Sequence, residues 1–495
     1  MESGVGQLAF TFAFPTGETK DEAEETQDDG SEASSQSAVA RSKSERKQKW
    51  HSLIDKVYAP HNLQSAWERV RANQGAPGVD GITIAQFEEH APAWLQQLSQ
   101  ELRAKTYRPQ PVRRVFIPKS GGGQRPLGIP TVRDRIVQQA LLQVLEPIFE
   151  AQFSSRSHGF RPGRGCATAL DVVDRAVRFG YGWVVDADLQ SFFDTVDHER
   201  LLTAVNEEVA DGSVLRLIRR ILQAGVSLPG TAELEPTELG TPQGGPLSPL
   251  LANVYLHAFD QQLAAAGYGL LRYADDFVIF AHSESEATAA LTLAREILEG
   301  QLGLRLHPEK TRVTTAASGF EFLGFHYYRD PQDGTWRKEV RRKSVQRFRA
   351  TVRRHTPRLK NQRLPRLRHL TLVRLRRNQR LQETIRALNA FLRGWHGYFH
   401  GVWSPYATPF RYFDSFVRRR LRAALSGRRG EGWWNKRLPN ALLRDLGLLS
   451  LDTLQQEYRG GQRRPLVRKD QPGGEPYAGK PHVRFGKAGG RATSP

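Results

Sequence analysis

Cysteine is almost absent from this 495-residue sequence, which contains only Cys166. A disulfide needs a second cysteine, and a structural zinc module needs three or four Cys and His ligands at short spacing, so neither kind of cross-link is available. Long apolar runs are also missing, which excludes a membrane-spanning helix. The short apolar run at residues 8–14 lacks a basic flank and precedes acidic residues, unlike a secretory signal. These absences favour a protein of the reducing cytoplasm with no membrane partner.

Negative charge is in short supply as well, since 52 Asp and Glu face 72 Lys and Arg and the formal net charge is +20. Such a surplus indicates a polyanionic partner, because basic surfaces that bind phosphates release counterions. The surplus is concentrated in residues 337–380, which hold 18 Lys and Arg and one acid, Glu339, for a local charge of +17. A short basic run would suit a solvated helix face. A run this long repels itself without an anionic partner, and we predict that it contacts nucleic acid.

Composition divides the chain into zones. Residues 1–48 are acidic and rich in Ser, Thr, Gln and Gly, which predicts a disordered leader. From 49 to 332, helical patterns alternate with short apolar strands, which predicts a mixed α+β body. Helical periodicity dominates from 333 to 464. Residues 465–495 are rich in Gly, Pro, Lys and Arg, which predicts a flexible basic tail.

Two adjacent carboxylates lie in residues 269–281, whose sequence is GLLRYADDFVIFA. The apolar segments on either side of Asp275 and Asp276 predict two strands joined by a tight turn. A carboxylate pair beside a core is costly unless a cation compensates it. Mg²⁺ prefers carboxylate oxygens together with substrate phosphates, so it is the natural counter-ion. The alternative is a solvated Asp-Asp turn without a function.

A second acidic strand lies in residues 181–198, YGWVVDADLQSFFDTVDH. Its buried-strand pattern runs into Asp186 and Asp188, which share one face because strand side chains alternate. Asp197 precedes a helical pattern, and we interpret it as a helix N-cap. Three carboxylates from two strands are what a two-metal phosphoryl-transfer site requires, where one ion activates the attacking hydroxyl and the other stabilises the leaving pyrophosphate. This chemistry suits a polymerase.

Eight short motifs lie in order along the chain between residues 50 and 330. They are NQGAPGVDGIT at 73–83, YRPQPVRRVFIPKSGGGQRPLGIP at 107–130, SHGFRPGRGCATAL at 157–170, FFDTVDH at 192–198, GTPQGGPLSPLLAN at 240–253, YADD at 273–276, GLRLHPEKTRV at 303–313 and FEFLGF at 320–325. Together they resemble the reverse transcriptases encoded by bacterial group II introns. The resemblance implies a right-hand polymerase whose fingers and palm occupy residues 49–332.

The same resemblance assigns the catalytic, metal-binding triad to Asp188, Asp275 and Asp276. It implies two Mg²⁺ ions, with Mn²⁺ as an alternative ion. Asp188 is preferred to Asp186 because it lies five residues before Phe193, the position at which these enzymes place an aromatic residue.

Four residues are implied to contact the incoming dNTP. Phe193 matches the aromatic residue that blocks a 2′-hydroxyl, since a rigid ring would clash with it. Lys119 and Arg125 flank a glycine turn and match fingers residues that close on the triphosphate, although an exposed basic hairpin tip is the alternative. Gln243 precedes two glycines that let backbone approach nucleic acid closely.

The resemblance also gives the helical zones a role. Residues 333–388 take the place of a basic, all-α thumb that grips the template-primer duplex. Residues 389–464 resemble the maturase region, domain X, that binds intron RNA. The candidate nucleic-acid contacts in the thumb are Arg341, Arg342, Lys343, Arg353, Arg354, Arg374, Arg376 and Arg377.

An apolar stripe crosses the junction of these two zones. Its aliphatic members, spaced three or four residues apart, are Leu381, Ile385, Leu388 and Leu392. Aromatic residues that follow, beside arginine and histidine, have the chemistry to stack on bases. An aromatic helix face is more often core, and we expect core positions for Trp395 and Phe399.

The resemblance implies an RNA-directed DNA polymerase and intron maturase that promotes splicing and copies its intron into DNA during retrohoming. Its partners would be intron RNA, an RNA template with a DNA primer, target DNA and dNTPs, at the nucleoid of a bacterial cytoplasm. About 30 residues follow Gln462 and none is the cysteine that many such proteins use in a nuclease domain, so we expect the endonuclease-lacking kind. Two alternatives are a domesticated relative in phage defence or CRISPR spacer acquisition, and a splicing cofactor without polymerase activity.

Overall fold

The structure is a computed structural model that describes residues 49–118, 123–228, 234–315, 317–357, 372–402, 409–426 and 438–461. The leader predicted at 1–48 and the tail predicted at 465–495 lie outside the described residues. Helices and small sheets are mixed along the described chain, which confirms the predicted α+β class. The zone 333–388, predicted as all-α, also contains a strand, Trp336–Val340, because this segment pairs with the strand Phe325–Arg329 before the helices begin. Among the described helices, none combines the length and the apolar character needed to cross a membrane.

The elements are numbered in chain order. The helices are α1 (Ile54–Tyr58), α2 (Pro60–Asn73), α3 (Ile84–Arg103), α4 (Val132–Glu150), α5 (Cys166–Arg178), α6 (Phe192–Thr195), α7 (His198–Glu208), α8 (Gly212–Leu222), α9 (Ser248–Tyr255), α10 (His257–Ala265), α11 (Glu284–Arg295), α12 (Arg342–His355), α13 (Leu372–Arg377), α14 (Gln379–Phe399), α15 (Pro409–Ser426), α16 (Asn440–Asp445) and α17 (Leu451–Gly461). The strands are β1 (Val112–Pro118), β2 (Gln124–Ile129), β3 (Trp183–Asp188), β4 (Val226–Ser227), β5 (Leu234–Glu235), β6 (Gly269–Tyr273), β7 (Asp276–Ala281), β8 (Arg312–Thr315), β9 (Phe320–Phe322), β10 (Phe325–Arg329) and β11 (Trp336–Val340). A π-helical turn, Glu296–Gln301, continues α11.

The described strands form three sheets. The first has the order β2-β1-β4-β5, the central sheet has the order β6-β7-β3-β8, and the third has the order β11-β10-β9. In the central sheet, β3 pairs antiparallel with both β7 and β8, and β6 pairs antiparallel with β7. The central sheet therefore places β3, with its two aspartates, directly beside the hairpin of β6 and β7.

The central sheet is covered on both faces. Alternate residues of β3 enter different cores: Val185 packs in a first core with the helices α1 to α4 and α7 to α11, and Val184 packs in a second core with α5, the third sheet and the helices from α12 onward. Leu271 and Val278 join Val184 in the second core. A strand that is buried on both sides needs consecutive apolar residues, which explains its unbroken Trp-Val-Val run.

Local capping sets where the helices begin. At the start of α3, Thr83 and Gln86 form a reciprocal capping box with each other's backbone N–H groups. At the start of α7, the carboxylate of Asp197 accepts a hydrogen bond from the backbone N–H of Arg200 at 2.8 Å. The interpretation of Asp197 as an N-cap is confirmed, because a carboxylate there satisfies an otherwise unpaired helical donor.

The predicted apolar stripe lies along one face of α14 and is buried in the second core. Trp395 and Phe399 continue it and are 8 % and 7 % exposed, so their expected core positions are confirmed. Both rings pack beside aromatic neighbours, Trp395 against Phe348 of α12 and Phe413 of α15, and Phe399 against Phe325 of β10. These contacts tie the C-terminal helices to the third sheet.

Candidate active site and nucleic-acid interface

The predicted acidic turn is a tight hairpin. β6 ends at Tyr273, β7 begins at Asp276, and these two residues face each other in the register, which leaves Ala274 and Asp275 as the turn. Ala274 has φ +57°, the left-handed region that non-glycine residues seldom adopt. A positive φ in a two-residue loop matches the right-handed twist of the flanking strands. The turn presents both carboxylates at the end of the central sheet.

The register of the central sheet adds the third carboxylate. Asp188, the last residue of β3, is the partner of Asp276 in β7. One carboxylate oxygen from each of Asp188, Asp275 and Asp276 lies within 4.8 Å of the other two. Oxygens bound to one Mg²⁺ lie about 3 to 4 Å apart, because its metal–oxygen distance is about 2.1 Å. The predicted triad is thus brought together, and its all-oxygen donor set fits a hard divalent cation after a small inward movement.

A lysine that the sequence reasoning did not single out also reaches this group. Nζ of Lys310 lies 2.5 Å from Oδ2 of Asp188, and the backbone N–H of His307 donates to the Asp188 carbonyl at 2.8 Å. Three clustered carboxylates repel one another, and a nearby ammonium group offsets part of that repulsion. Lys310 lies in the GLRLHPEKTRV motif, 122 residues from Asp188, so the motif was its only signal.

Asp186 occupies a different environment from Asp188, although both side chains leave the same face of β3. Its carboxylate lies 3.5 Å from the guanidinium of Arg312 on β8, and its side chain is 21 % exposed. Burial raises the pKa of Asp186 to about 6, against the pull of Arg312 and with a smaller push from the charges of Glu321 and Asp188. Within the described residues it does not belong to the three-carboxylate group.

Three segments meet at the loop that carries Gln243. The carbonyl of Phe193 in α6 accepts the backbone N–H of Thr241 at 2.7 Å, and the backbone N–H of Gly128 in β2 donates to the carbonyl of Gln243 at 2.9 Å. A Cβ on Gly244 would lie 2.6 Å from the Gly128 carbonyl oxygen, so this close approach requires glycine. The loop that carries Gln243 is therefore fastened to α6 on one side and to β2 on the other.

The remaining predicted dNTP contacts lie in separate places. The ring of Phe193 is partly buried and meets Phe160 edge to face, with centroids 6.3 Å apart. Arg125 is half-buried on β2 and pairs in register with Ile117 of β1, near the tip of that hairpin. Lys119 lies outside the described residues.

The basic helix α12 has one buried and one exposed face. Its buried face is formed by Ser344, Phe348 and Val352, at four-residue spacing. Most of the predicted contacts are on its exposed surface or that of α13, namely Arg342, Lys343, Arg353, Arg354, Arg376 and Arg377. Arg341 is half-buried, 3.9 Å from the carboxylate of Glu321, and the side chain of Arg374 lies outside the described residues.

Aromatic rings of α15 lie under the arginines of α12. The guanidinium of Arg349 is 5.3 Å from the ring centroid of Tyr412, which is 49 % exposed. Arg353 and Arg419 lie 5.7 and 5.8 Å from the ring of Phe416. Cation–π contacts of this kind hold guanidinium groups in place at a surface. Basic side chains of α12 and aromatic rings of α15 therefore lie together on one surface.

Two family models match the chain. Residues 117–327 match "Reverse transcriptase (RNA-dependent DNA polymerase)" and residues 362–438 match "Group II intron, maturase-specific domain". The first match contains the triad, Phe193 and Gln243. The second begins within the segment predicted as thumb, and the boundary between thumb and domain X stays a prediction.

Curated relatives agree with these matches. The chain is 36 % identical to Protein YkfC of Escherichia coli (strain K12) over 320 residues, which cover 56 % of this chain and 83 % of YkfC. It is 41 % identical to the group II intron-encoded protein LtrA of Lactococcus lactis subsp. cremoris over 199 residues, 40 % of this chain, and spans only 32 % of LtrA.

Among solved structures, a partial Cas6-RT-Cas1–Cas2 complex is similar at 28 % identity with a TM-score of 0.33, over 52 % of this chain and 42 % of that one. At that score the similarity adds nothing to the assignment. The sequence matches include both a polymerase and a maturase model, in the order that the motifs predict. Family membership implies divalent metal and nucleic-acid substrates in general terms. On the strength of these matches, the chain belongs to the family of group II intron-encoded reverse transcriptases and maturases.

Proposed function

We propose that this protein is an RNA-directed DNA polymerase that also serves as a group II intron maturase, binding intron RNA, promoting its splicing and copying it into DNA at the insertion site. The observation that carries the polymerase proposal is the convergence of Asp188, Asp275 and Asp276, with oxygens within 4.8 Å of one another, from two strands far apart in sequence. A cluster so unfavourable without a cation has a clear use in nucleotidyl transfer.

The proposed ligands are the three aspartates of the triad, and two Mg²⁺ ions, or Mn²⁺, would supply charge neutralisation and activation of the primer hydroxyl when bound. Asp188 and Asp276 are held opposite each other by the β3–β7 register, and Asp275 is held by the hairpin turn. Rigid placement of this kind lowers the cost of organising the site for each turnover. Lys310 balances part of the negative charge when no metal is present.

For the dNTP, we assign selection of the sugar to Phe193. We assign to the loop that carries Gln243 the close approach of protein backbone to the nucleotide. The loop is tied to both α6 and β2, so a shift of the fingers hairpin would be transmitted to the nucleotide site. Arg125 near the hairpin tip, together with Lys119, is assigned to the triphosphate. These assignments follow the motif positions and the hydrogen bonds that fasten the loop.

For nucleic acid, we assign the basic exposed surfaces of α12 and α13 to the RNA–DNA duplex, and residues 389–464 to intron RNA. The support is the +17 charge of residues 337–380 and the cation–π contacts of Arg349 and Arg353 in its described part. Target DNA, and a cytoplasmic location at the nucleoid, complete the proposal.

The test is primer extension on an RNA template with Mg²⁺ and dNTPs, comparing the wild type with Asp275→Asn and Asp276→Asn. Both variants keep the shape of the side chain and lose a charged ligand, so we expect cDNA synthesis to fall to background while binding of intron RNA and stimulation of splicing persist. Asp55→Asn, at an exposed position of α1, is the matched control and should extend primers normally. Normal extension by either turn variant would overturn the site assignment, and a wild type that stimulates splicing but never extends a primer would leave a splicing cofactor.

A further inference from the structure

A buried arginine lies directly before the acidic turn. Arg272 of β6 is 1 % exposed, although the neighbouring positions of the central sheet are apolar. Its Nε and Nη2 donate to the two carboxylate oxygens of Asp260 on α10 at 2.7 and 2.6 Å. Asp260 is also 1 % exposed, so the pair is shielded from water. Bidentate pairing of this kind fixes the plane of the guanidinium.

The third nitrogen of Arg272 points at the turn itself. Nη1 donates to the carbonyl of Ala274 at 2.9 Å and to Oδ1 of Asn253 at 2.9 Å. Asn253 in turn donates from Nδ2 to the carbonyl of Gly159 at 2.8 Å and is itself 1 % exposed. The side-chain network therefore runs from Asp260 through Arg272 to the peptide group that precedes Asp275.

Backbone contacts from the segment before α5 also hold the strand end and the turn at Arg272 and Ala274. The N–H of Arg272 donates to the carbonyl of Arg156, and the N–H of His158 donates to the carbonyl of Arg272. A Cβ on Gly159 would lie only 2.3 Å from the backbone nitrogen of Ala274. The segment before α5 is thus pressed against the turn, and Ala274 keeps its left-handed φ between this segment and the guanidinium.

A buried ion pair is weak evidence for stability, because desolvation consumes much of the attraction and apolar residues often replace such pairs without loss. The geometry gives this one a more specific use. The peptide between Ala274 and Asp275 sets the direction in which the Asp275 side chain leaves the backbone. We propose, on the basis of the proposed function, that Arg272 is a positioning residue that, held by Asp260 and Asn253, fixes the Ala274 carbonyl and so aims the turn carboxylates at their metal ions.

The consequence for metal binding follows from pre-organisation. Without the Nη1 hydrogen bond, the Ala274 carbonyl is a buried acceptor without its partner, and the turn relaxes toward a conformation with less strain at Ala274. Partners that orient metal ligands typically contribute about 10- to 100-fold to metal affinity or activity. We therefore expect a substitution of Arg272 to weaken metal binding much more than it weakens nucleic-acid binding.

The experiment uses the full chain with Mn²⁺ as probe, and bound ion is followed by the decrease of the free Mn²⁺ signal in electron paramagnetic resonance. Arg272→Lys keeps a cation for Asp260 and removes the fork that reaches Ala274. Asn253→Ala keeps the ion pair and removes the second support of Nη1. Binding specific to the triad is defined as the part that Asp188→Asn abolishes. Lys338→Met is the matched control for removal of a buried cation, since Lys338 pairs with Asp174 at 2.9 Å and is 3 % exposed.

We expect Arg272→Lys to weaken triad-specific Mn²⁺ binding by about 10- to 100-fold and Asn253→Ala to weaken it in the same direction, with the KM for template-primer unchanged. Lys338→Met should lower the melting temperature and leave Mn²⁺ affinity intact. Wild-type Mn²⁺ affinity in Arg272→Lys, with only a lower melting temperature, would overturn the proposal. If that variant does not fold, Asn253→Ala decides in the same way. A wild type that binds Mn²⁺ at the triad but makes no cDNA would refute the proposed polymerase and leave the positioning role to be judged on metal binding alone.

Discussion

The two aspartates of β3 should respond differently to replacement by asparagine. Asp186→Asn should stabilise the protein and keep its activity, whereas Asp188→Asn should abolish activity. Asp186 and Asp188 leave the same face of one strand, yet Asp188 belongs to the three-carboxylate group and Asp186 pairs with Arg312. Burial raises the pKa of Asp186 from the ordinary value of 3.8 to about 6. At neutral pH the protein therefore holds a charged carboxylate that its surroundings disfavour.

The magnitude follows from linkage between protonation and folding. Each tenfold change in the protonation equilibrium corresponds to about 1.4 kcal/mol, so the change from 3.8 to about 6 corresponds to about 3 kcal/mol at most. An asparagine resembles the neutral carboxyl group and avoids this cost. It also gives up the attraction to Arg312, which is weak because that guanidinium is largely exposed. We expect Asp186→Asn to raise the free energy of unfolding by about 1 to 3 kcal/mol at pH 8.

The dependence of this stability difference on pH tests its direction a second time. As the pH falls through about 6, folded wild-type protein takes up a proton at Asp186 before the unfolded chain does, so this group adds stability down to about pH 4. The variant has no such group. Its advantage over wild type should therefore shrink between about pH 6 and about pH 4 and be absent below that range, while the advantage is fully present at about pH 8.

The assay is calorimetry of both proteins in EDTA at about pH 8 and about pH 4.5, paired with primer extension at the higher pH. For a unit of about 200 residues, about 1 kcal/mol moves the melting temperature by about 2 to 4 °C. Asp186→Asn should melt several degrees higher than wild type at the higher pH and still synthesise cDNA, whereas Asp188→Asn should be inactive. A destabilised Asp186→Asn, or one as inactive as Asp188→Asn, would refute the separation of their roles.

Two further predictions concern selectivity and grip. Phe193→Ala removes the ring that we propose to select the sugar. The substitution should lower the preference for dCTP over CTP by at least about tenfold, measured as the ratio of kcat/KM values, and an unchanged ratio contradicts the steric role. Replacing Arg342, Arg353 and Arg354 together with glutamine should flatten the dependence of log affinity on log salt by about 0.7 to 0.9 for each phosphate that is no longer neutralised, measured by anisotropy of a labelled duplex. Arg103→Gln, at an exposed position of α3 outside the basic run, is the control, and an equal slope in both proteins would argue against α12 as the grip.

The hairpin could be predicted from the sequence because it depends on a local pattern, whereas the triad could not be predicted from local patterns alone. Apolar runs on either side of Asp275 predict two strands and a turn, and two-residue alternation places Asp186 and Asp188 on one face. Pairing β3 with β7 needs a long-range contact that no local pattern encodes. Family motifs supplied the choice of Asp188, and the register with Asp276 agrees with it.

The residues that support the three carboxylates could not be predicted from the sequence. Lys310 meets Asp188 across 122 residues, and Asn253 meets Gly159 across 94. Arg272 is a basic residue in an otherwise apolar strand, and no pattern in the sequence indicates that it is buried, yet it is 1 % exposed. Its burial depends on the ion pair with Asp260 of α10. Tertiary packing brings α10 and β6 together, and neither segment encodes that contact alone.

Packed side chains connect the strands that carry the three carboxylates to the basic helices. Val184 of β3 lies in the same second core as Phe348 of α12 and Leu388 of α14. Tyr398 of α14 donates from its hydroxyl to the carbonyl of Leu323 at 2.6 Å, between β9 and β10. Close-packed interiors transmit small displacements instead of absorbing them. A nucleic acid bound on α12, as we propose, would therefore be connected through packed side chains to the sheet that carries the carboxylates. Substitutions in this core should then alter where the primer end lies as well as how stable the protein is.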